Sequence, residues 1–351
     1  MSDPTAFHLS MYPIMIKKIV NWYEKNHEVF PWRENNHAYA VWVSEIMLQQ
    51  TTVTTVVPYF LKFMQRFPSI NDLAKATIDD VLKFWQGLGY YRRAHHLHNA
   101  AKVIVDDYGG EFPKDRGLLL KLPGIGPYTA SALSAIAHQH PYIPVDGNVY
   151  RVFARFFALE FTLKDLSKVM VPYIEKFEEE LAFGGLSPSY FAQGLMDLGR
   201  TVCTPKNPKC SLCPIQNHCD SFKKDMAYKL PLKSPKKSMP TRYANCWIYQ
   251  KDSRILLQKC QGKGLLAGLW QFPITDFKET LEPVENSCIG TMTHVFSHFK
   301  LIVSVYYEGH NTLENEGIFV EMDEIHDYAL STLMKKILAL ATPYLREKKA
   351  A

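Results

Sequence analysis

Four of the seven cysteines fall in one short stretch, "CTPKNPKCSLCPIQNHC", as Cys203, Cys210, Cys213 and Cys219 with the spacing C-x6-C-x2-C-x5-C. Four thiolates on one loop form a metal site, because such clustering in an intracellular chain favours metal over disulfide pairing. Zinc and an iron–sulfur cluster both accept four thiolates in a tetrahedral arrangement. Zinc sites usually pair two C-x2-C knuckles, and this loop has one. Its unequal spans suit a compact loop wrapped around a larger, cubic cluster. His218 is an alternative ligand, although four cysteines complete the set, and Lys206 and Lys209 place positive charge beside it. Cys246, Cys260 and Cys288 are scattered and read as ordinary core or strand residues.

A second kind of chemistry is written in "KLPGIGPYTASA", residues 121–132. Gly124 and Gly126 permit backbone conformations closed to other residues, and Pro127 presets the first helical φ, so amides at a helix start point outward. A phosphate can be held there without side chains. The alternative is an ordinary helix–helix turn, against which stand the small-residue helix "TASALSAIA" and the sequence "VDGNVYRVFAR" further on. Asp146 in that sequence precedes an amphipathic helix and is a natural N-cap. Glu45 in "VWVSEIMLQQTTV" is expected in a first helical turn, where the dipole favours a carboxylate.

The elements that must position these groups follow from periodicity. Val149, Val152, Phe153, Phe156 and Phe157 repeat with helical spacing, as do the stretches around 10–26, 44–64, 76–86, 92–107 and 165–182, so the first 220 or so residues are expected to be all-α. Past residue 240 the texture changes to β-rich runs, "NCWIYQ", "RILLQK", "KLIVSVYYE" and "GIFVEM", and a final helix carrying Leu330, Leu333, Met334, Ile337 and Leu338. Between them, residues 221–242 hold six lysines, Arg242 and three prolines against the single acid Asp225. That excess outweighs the whole chain's +5 and reads as a basic extended linker that could equally be a solvated tether or a phosphate contact. The N-terminus lacks a signal-peptide pattern and no apolar run is long enough to span a bilayer, which leads us to expect a cytoplasmic, nucleoid-associated protein if bacterial.

The order of these motifs carries a resemblance. "FPWR", "VWVSEIMLQQT", "GLGYYRRA", "LPGIGPYTASA", "VDGNVYRVFAR", "GLMDLGRTVC", the four-cysteine loop, "GLWQFP" and "HVFSHFKL" together resemble the MutY family of adenine DNA glycosylases, in the helix-hairpin-helix, iron–sulfur superfamily with endonuclease III. The resemblance implies a multidomain protein: an all-α helix-hairpin-helix glycosylase domain with an iron–sulfur cluster loop over 1–222, a basic interdomain linker over 223–240, and an α+β, Nudix-like domain over 241–351 that recognises 8-oxoguanine. It further implies one 4Fe–4S cluster on Cys203, Cys210, Cys213 and Cys219. The substrate would be double-stranded DNA containing adenine opposite 8-oxoguanine or guanine, with the adenine flipped out for hydrolysis of its N-glycosidic bond. A monomer, with no membrane partner, is expected.

Residue roles come over position by position. Glu45 matches the acid that protonates the leaving adenine, and Asp146 the anion that stabilises an oxocarbenium-like sugar. Tyr128 stands where bifunctional relatives carry the lysine of a Schiff base. Together with Asn148, the family's tyrosine orients the catalytic Asp. No lysine lies between Lys121 and Lys164, which argues for base removal alone and against the endonuclease III-like glycosylase/lyase alternative. Gln49 and Tyr90 resemble wedges beside the flipped base, and Trp32, Arg33 and Gln50 resemble adenine-pocket residues, with core packing the alternative for Trp32 and Tyr90. Leu122, Gly124 and Gly126 correspond to the phosphate-binding hairpin, and Phe296, Ser297 and His298 to the 8-oxoguanine loop, although periodicity alone makes the latter the start of a strand. A hydrolytic Nudix domain needs a glutamate-rich helix, G-x5-E-x7-R-E-x2-E-E, which residues 267–290 do not supply. A zinc-stapled, non-enzymatic DNA-binding module would be left if either Glu45 or Asp146 were missing.

Overall fold

The computed structural model describes residues 10–235, 238–261, 264–282, 284, 288–308 and 317–345. Lys236 and Lys237 of the basic segment lie outside these. The helices are α1 (Met11–Asn26), α2 (Ala38–Leu48), α3 (Val53–Arg66), α4 (Ile70–Lys75), α5 (Ile78–Trp85), α6 (Arg92–Tyr108) and α7 (Arg116–Leu119). They continue with α8 (Pro127–Ala132), α9 (Gly147–Phe156), α10 (Leu163–Val169), α11 (Val171–Phe183), α12 (Pro188–Thr201), α13 (Asp220–Lys223) and α14 (Thr332–Ala341). None is long and apolar enough to cross a membrane.

Contacts divide the chain into two compact units, the first comprising Met1–Asn71 and Ala100–Pro235 and the second Asp72–Asn99 and Lys236–Ala351. In the first, α1, α9, α10, α11 and α12 enclose a core of Tyr12, Ile19, Phe153, Phe177 and Phe191. Phe153 and Phe177 stack 4.9 Å apart, and burying each such ring is worth about 1.5–3 kcal/mol. The stretch expected as one helix over 44–64 is two, because α2 ends at Leu48 and Gln50 turns the chain at φ 62°. Likewise, 165–182 is broken at Met170 between α10 and α11. α2 begins at Ala38, so Glu45 lies not in its first turn but near its C-terminal end, where the dipole opposes an anion.

The segment read as a tether starts out docked on the first unit. Ala227 and Leu230 are buried, the Leu230 carbonyl accepts a 2.9 Å hydrogen bond from Arg155, and the Leu232 amide donates to Phe161. Two apolar side chains among the lysines account for this departure.

The second unit contains a mixed sheet of β1 (Thr241–Lys251), β2 (Arg254–Lys259), β3 (Trp270–Gln271), β4 (Cys288–Val295), β5 (Lys300–Glu308) and β6 (Ile318–Glu321). The order is β3-β2-β1-β5-β4, with β6 on β2, and β1 runs parallel to β5 from Thr241↔Lys300 to Tyr249↔Glu308. α14 packs on β4 and β5. No helix occurs among the described residues of 267–290. Residues 72–99, helical by sequence, belong by contact to this unit: Lys259 pairs with Asp79 at 2.7 Å and Gln86 donates to the Leu330 carbonyl at 3.0 Å.

Helix α12 approaches α9 at Gly199, where an added Cβ would stand 2.7 Å from the Asn148 Cβ and 3.2 Å from its carbonyl oxygen. Gly199→Ala is therefore expected to lower stability by about 1–3 kcal/mol in denaturant melts, with an unchanged melt counting against this close approach.

Candidate active site

Helix α2 is apolar nearly all round, with nine buried residues from Tyr39 to Met47, and this forces Glu45 inside, 5% exposed. α8 and the π-helical turn Leu133–Ala137 pack against α2 through small residues, bringing Tyr128 within reach. The Tyr128 hydroxyl donates to Glu45 Oε2 at 2.6 Å and also approaches the Met196 sulfur at 3.3 Å. Burial pushes the Glu45 carboxyl up to about 7, opposed by the Tyr128 hydrogen bond and the Arg33 charge and assisted by Asp146. Burial, with the neighbouring carboxylates and the bond to Glu45, raises the Tyr128 phenol well above its ordinary value.

Asp146 is placed by hydrogen bonds from its own helix. It caps α9, with Oδ1 accepting from the Asn148 and Val149 amides at 2.8 Å each and Oδ2 from Asn148 Nδ2 at 2.7 Å. Capping and presentation of a carboxylate thus coexist in one residue. The Tyr128 hydroxyl thus bonds Glu45, while the side-chain donor to Asp146 is Asn148. The phenol leaves its helix toward α2, whereas Asn148 sits two residues beyond the aspartate on the same turn.

Two residues not singled out from the sequence complete this region. Arg151 donates to Asn148 Oδ1 at 2.8 Å, to the Gly199 carbonyl at 2.7 Å and to the Cys203 carbonyl at 2.8 Å. The buried Arg155 donates to the Cys203 carbonyl and sulfur, both at 3.3 Å, and to the Thr204 carbonyl at 2.8 Å. Two arginines four apart beside an apolar stripe were the available sequence signal, since such a pair buries its guanidiniums only where many carbonyls converge.

None of the seven cysteines is joined in a disulfide. Cys203, Cys210, Cys213 and Cys219 line one cavity with Val152, Phe156, Leu198 and Ile215, and His218 is not among its walls. Among the described residues, no three His, Cys, Asp or Glu side chains are placed to hold a single metal ion. Four soft donors around an apolar space fit a polynuclear sulfur-ligated group better than one tetrahedral ion, whose ligands must converge to about 2.3 Å from a common centre.

The hairpin places Gly124 at φ 74°, as expected, but Gly126 at φ −92° and ψ −178°, an extended conformation open to any residue. A Cβ at Gly126 would meet nothing within 4 Å, so its backbone faces open space. Leu122 is buried under the turn. Trp32, also buried, stacks on Phe30 at 5.1 Å and meets Phe60 edge-on, which is the packing alternative. Arg33 forms a bidentate pair with Asp197 at 2.7 and 3.0 Å and lies over the Phe30 and Tyr23 rings. Gln49 caps α2 and donates to Thr129 at 3.4 Å, while the adjacent Gln50 is exposed.

In the second unit, 296–299 is a turn between β4 and β5 and not the start of a strand. The Phe296 amide donates to the Phe299 carbonyl at 2.9 Å, which leaves Ser297 and His298 exposed at its tip. Phe296 packs with His294, Phe277 and Phe299. Tyr90, 44% exposed at φ 46°, makes a 2.6 Å hydroxyl contact with Ser297.

Residues 43–180 match the family model of the HhH-GPD superfamily of base excision DNA repair proteins, 203–219 the iron–sulfur binding domain of endonuclease III, and 244–340 a NUDIX domain. The chain is 34% identical over 341 residues to the adenine DNA glycosylase of Buchnera aphidicola subsp. Schizaphis graminum, covering 92% of this chain and 97% of that one. It is 30% identical over 414 residues to the adenine DNA glycosylase of Mus musculus, covering 97% of this chain and 78% of that one. Among solved structures, a thermostable thymine-DNA glycosylase superimposes with a TM-score of 0.55 at 29% identity, covering 63% of this chain and all of that one. The loop at 203–219 is thus an iron–sulfur-binding motif, and the chain belongs to the adenine DNA glycosylase family of DNA-repair hydrolases that act on N-glycosyl bonds.

Proposed function

We propose that this enzyme, acting as a monomer, removes adenine opposite 8-oxoguanine or guanine from duplex DNA by base flipping and hydrolysis, without cutting the strand. The single observation that carries the reading is the buried Glu45 carboxyl, held near neutral pKa by its apolar helix and donated to by Tyr128. A carboxyl that keeps its proton near pH 7 can give it to a leaving base, while Asp146, whose two oxygens accept three hydrogen bonds from its own helix turn, would be the second carboxyl group, the one that stabilises a cationic sugar. Tyr128 engages one oxygen of Glu45, which leaves the other for the proton. A phenol at that position cannot form a Schiff base. Cys203, Cys210, Cys213 and Cys219 would hold one 4Fe–4S cluster, which would supply the loop with a rigid, charged centre. The open backbone at Gly126 suits close approach of a DNA phosphate. The exposed Ser297 and His298 would hydrogen-bond the oxidised base, Gln49 and Tyr90 would each act as a wedge, and Gln50 would line the adenine pocket.

Single-turnover cleavage of duplexes containing adenine opposite 8-oxoguanine should yield strand breaks only after alkali. Breaks appearing without alkali at the rate of base loss would overturn hydrolysis without lyase action.

Burial raises Glu45 from 4.5 to about 7, so the native state binds more protons than the unfolded one between these values. Stability is therefore lost as pH rises through that window. Glu45→Gln should abolish base removal yet stabilise the protein at pH 8, by about 1–3 kcal/mol, with little gain at pH 4. Base removal by the native enzyme should fall as pH rises through about 7. Tyr128→Phe deletes a bond that favours the carboxylate form and should move that limb to higher pH, whereas an unmoved limb counts against Glu45 as the acid.

Alanine at both Ser297 and His298 should reduce the preference for 8-oxoguanine over guanine by about tenfold while adenine removal persists, about what the loss of one hydrogen bond costs. An unchanged preference would reject the loop assignment.

A further inference from the structure

Tyr90 sits in the left-handed region at φ 46°, between Gly89 at φ 71° and Tyr91, in a turn that also holds Gly87 at φ 104°. For a bulky non-glycine residue this conformation is strained and persists only where its surroundings over-determine it. The restraints come from two directions within the second unit. From inside the turn, Arg93 donates to the Leu88 and Gly89 carbonyls at 3.3 and 3.2 Å, and its guanidinium lies over the Trp85 and Tyr90 rings. Trp85 Nε1 donates to the same Gly89 carbonyl at 3.3 Å.

From outside the turn, the restraints come from the chain beyond residue 260. Just before the turn, Gln86 Nε2 donates to the Leu330 and Tyr328 carbonyls at 3.0 and 3.4 Å. Just after it, His95 Nε2 lies 3.0 Å from the Ala267 carbonyl. The adjoining Gly268, at φ 78°, passes so close that a Cβ there would stand 2.9 Å from the imidazole. Both flanks of a strained, half-exposed turn are thus tied to main-chain carbonyls, one flank to those of Tyr328 and Leu330 and the other to that of Ala267.

We infer that Gln86 and His95 are positioning residues through which the C-terminal segments hold the Tyr90 turn in its strained conformation before DNA arrives. This rests on the reading of Tyr90 as a residue that acts at the flipped base. It assigns the chain beyond residue 260 a second task beside base recognition: setting the pose of a side chain encoded far upstream.

The test uses full-length protein carrying its cluster and a duplex with adenine opposite 8-oxoguanine, and compares Tyr90→Ala, the double variant Gln86→Ala/His95→Ala, and the triple combination. The double variant should bind about tenfold more weakly and exchange the 87–91 amides faster in the absence of DNA, and His95→Gln, which keeps a nitrogen within reach of Ala267, should behave like the native protein. Adding the double substitution to Tyr90→Ala should cost little more, because the path runs through Tyr90. An additive loss, or native-like exchange at 87–91 in the double variant, overturns the inference. If Tyr90→Ala alone binds normally, the assignment of Tyr90 to the flipped base fails, and exchange at 87–91 still decides whether Gln86 and His95 hold the turn.

Discussion

The site depends on one costly placement, a carboxyl group carried into the apolar interior by a helix with almost no polar face. Removing a carboxylate from water carries a penalty of several kcal/mol, which the protein meets mainly by letting Glu45 keep its proton. Tyr128 supplies the hydrogen bond that a buried carboxyl requires. Arg33 contributes a favourable charge but is itself engaged by Asp197, so it does not pull Glu45 back to full ionisation. Without this balance, the group would be either a permanent anion or an unsatisfied acid.

The second carboxyl group is placed by hydrogen bonds and not by an apolar helix. Asp146 collects three donors from its own helix turn, and one of them, Asn148, is held by Arg151. Arg151 and Arg155 in turn grip the carbonyls that begin the cysteine loop. A loop rich in main-chain acceptors is thereby coupled to the cap that carries the anion, and the position of Asp146 depends on how that loop is held. Gly199, lacking a Cβ, is what lets α12 come close enough to α9 for this network to close.

In the second unit, the sheet carries no glutamate-rich helix among its described residues, and its contribution is structural: a tight turn that exposes Ser297 and His298, and carbonyls that reach residues of the segment 72–99. An aromatic group of Phe277, Phe296 and Phe299 braces that turn, with Arg242 over the Phe299 ring. The packing shows why Phe296 is only partly available for stacking: its ring already has aromatic neighbours on more than one side.

Residue identity and local spacing made much of this protein legible. The thiolate spacing, the Asp146 cap, the left-handed Gly124, most of the helices, and the strands β1, β2, β5 and β6 all rest on interactions within a few residues, which a linear string records; β4 is not among the runs it marks. The tertiary structure decided what depends on distant partners. It put Glu45 at the far end of its helix, because the start of α2 is set by a turn that periodicity does not mark. It turned Tyr128 toward Glu45, because the direction of a side chain depends on which helix packs opposite. It buried Trp32, Arg151 and Arg155, whose partners lie elsewhere in the chain, and it allied residues 72–99 with a sheet that begins at Thr241. Hydrogen bonds and desolvation act across space, so the sequence names the groups, and only the folded chain sets their protonation, direction and partners.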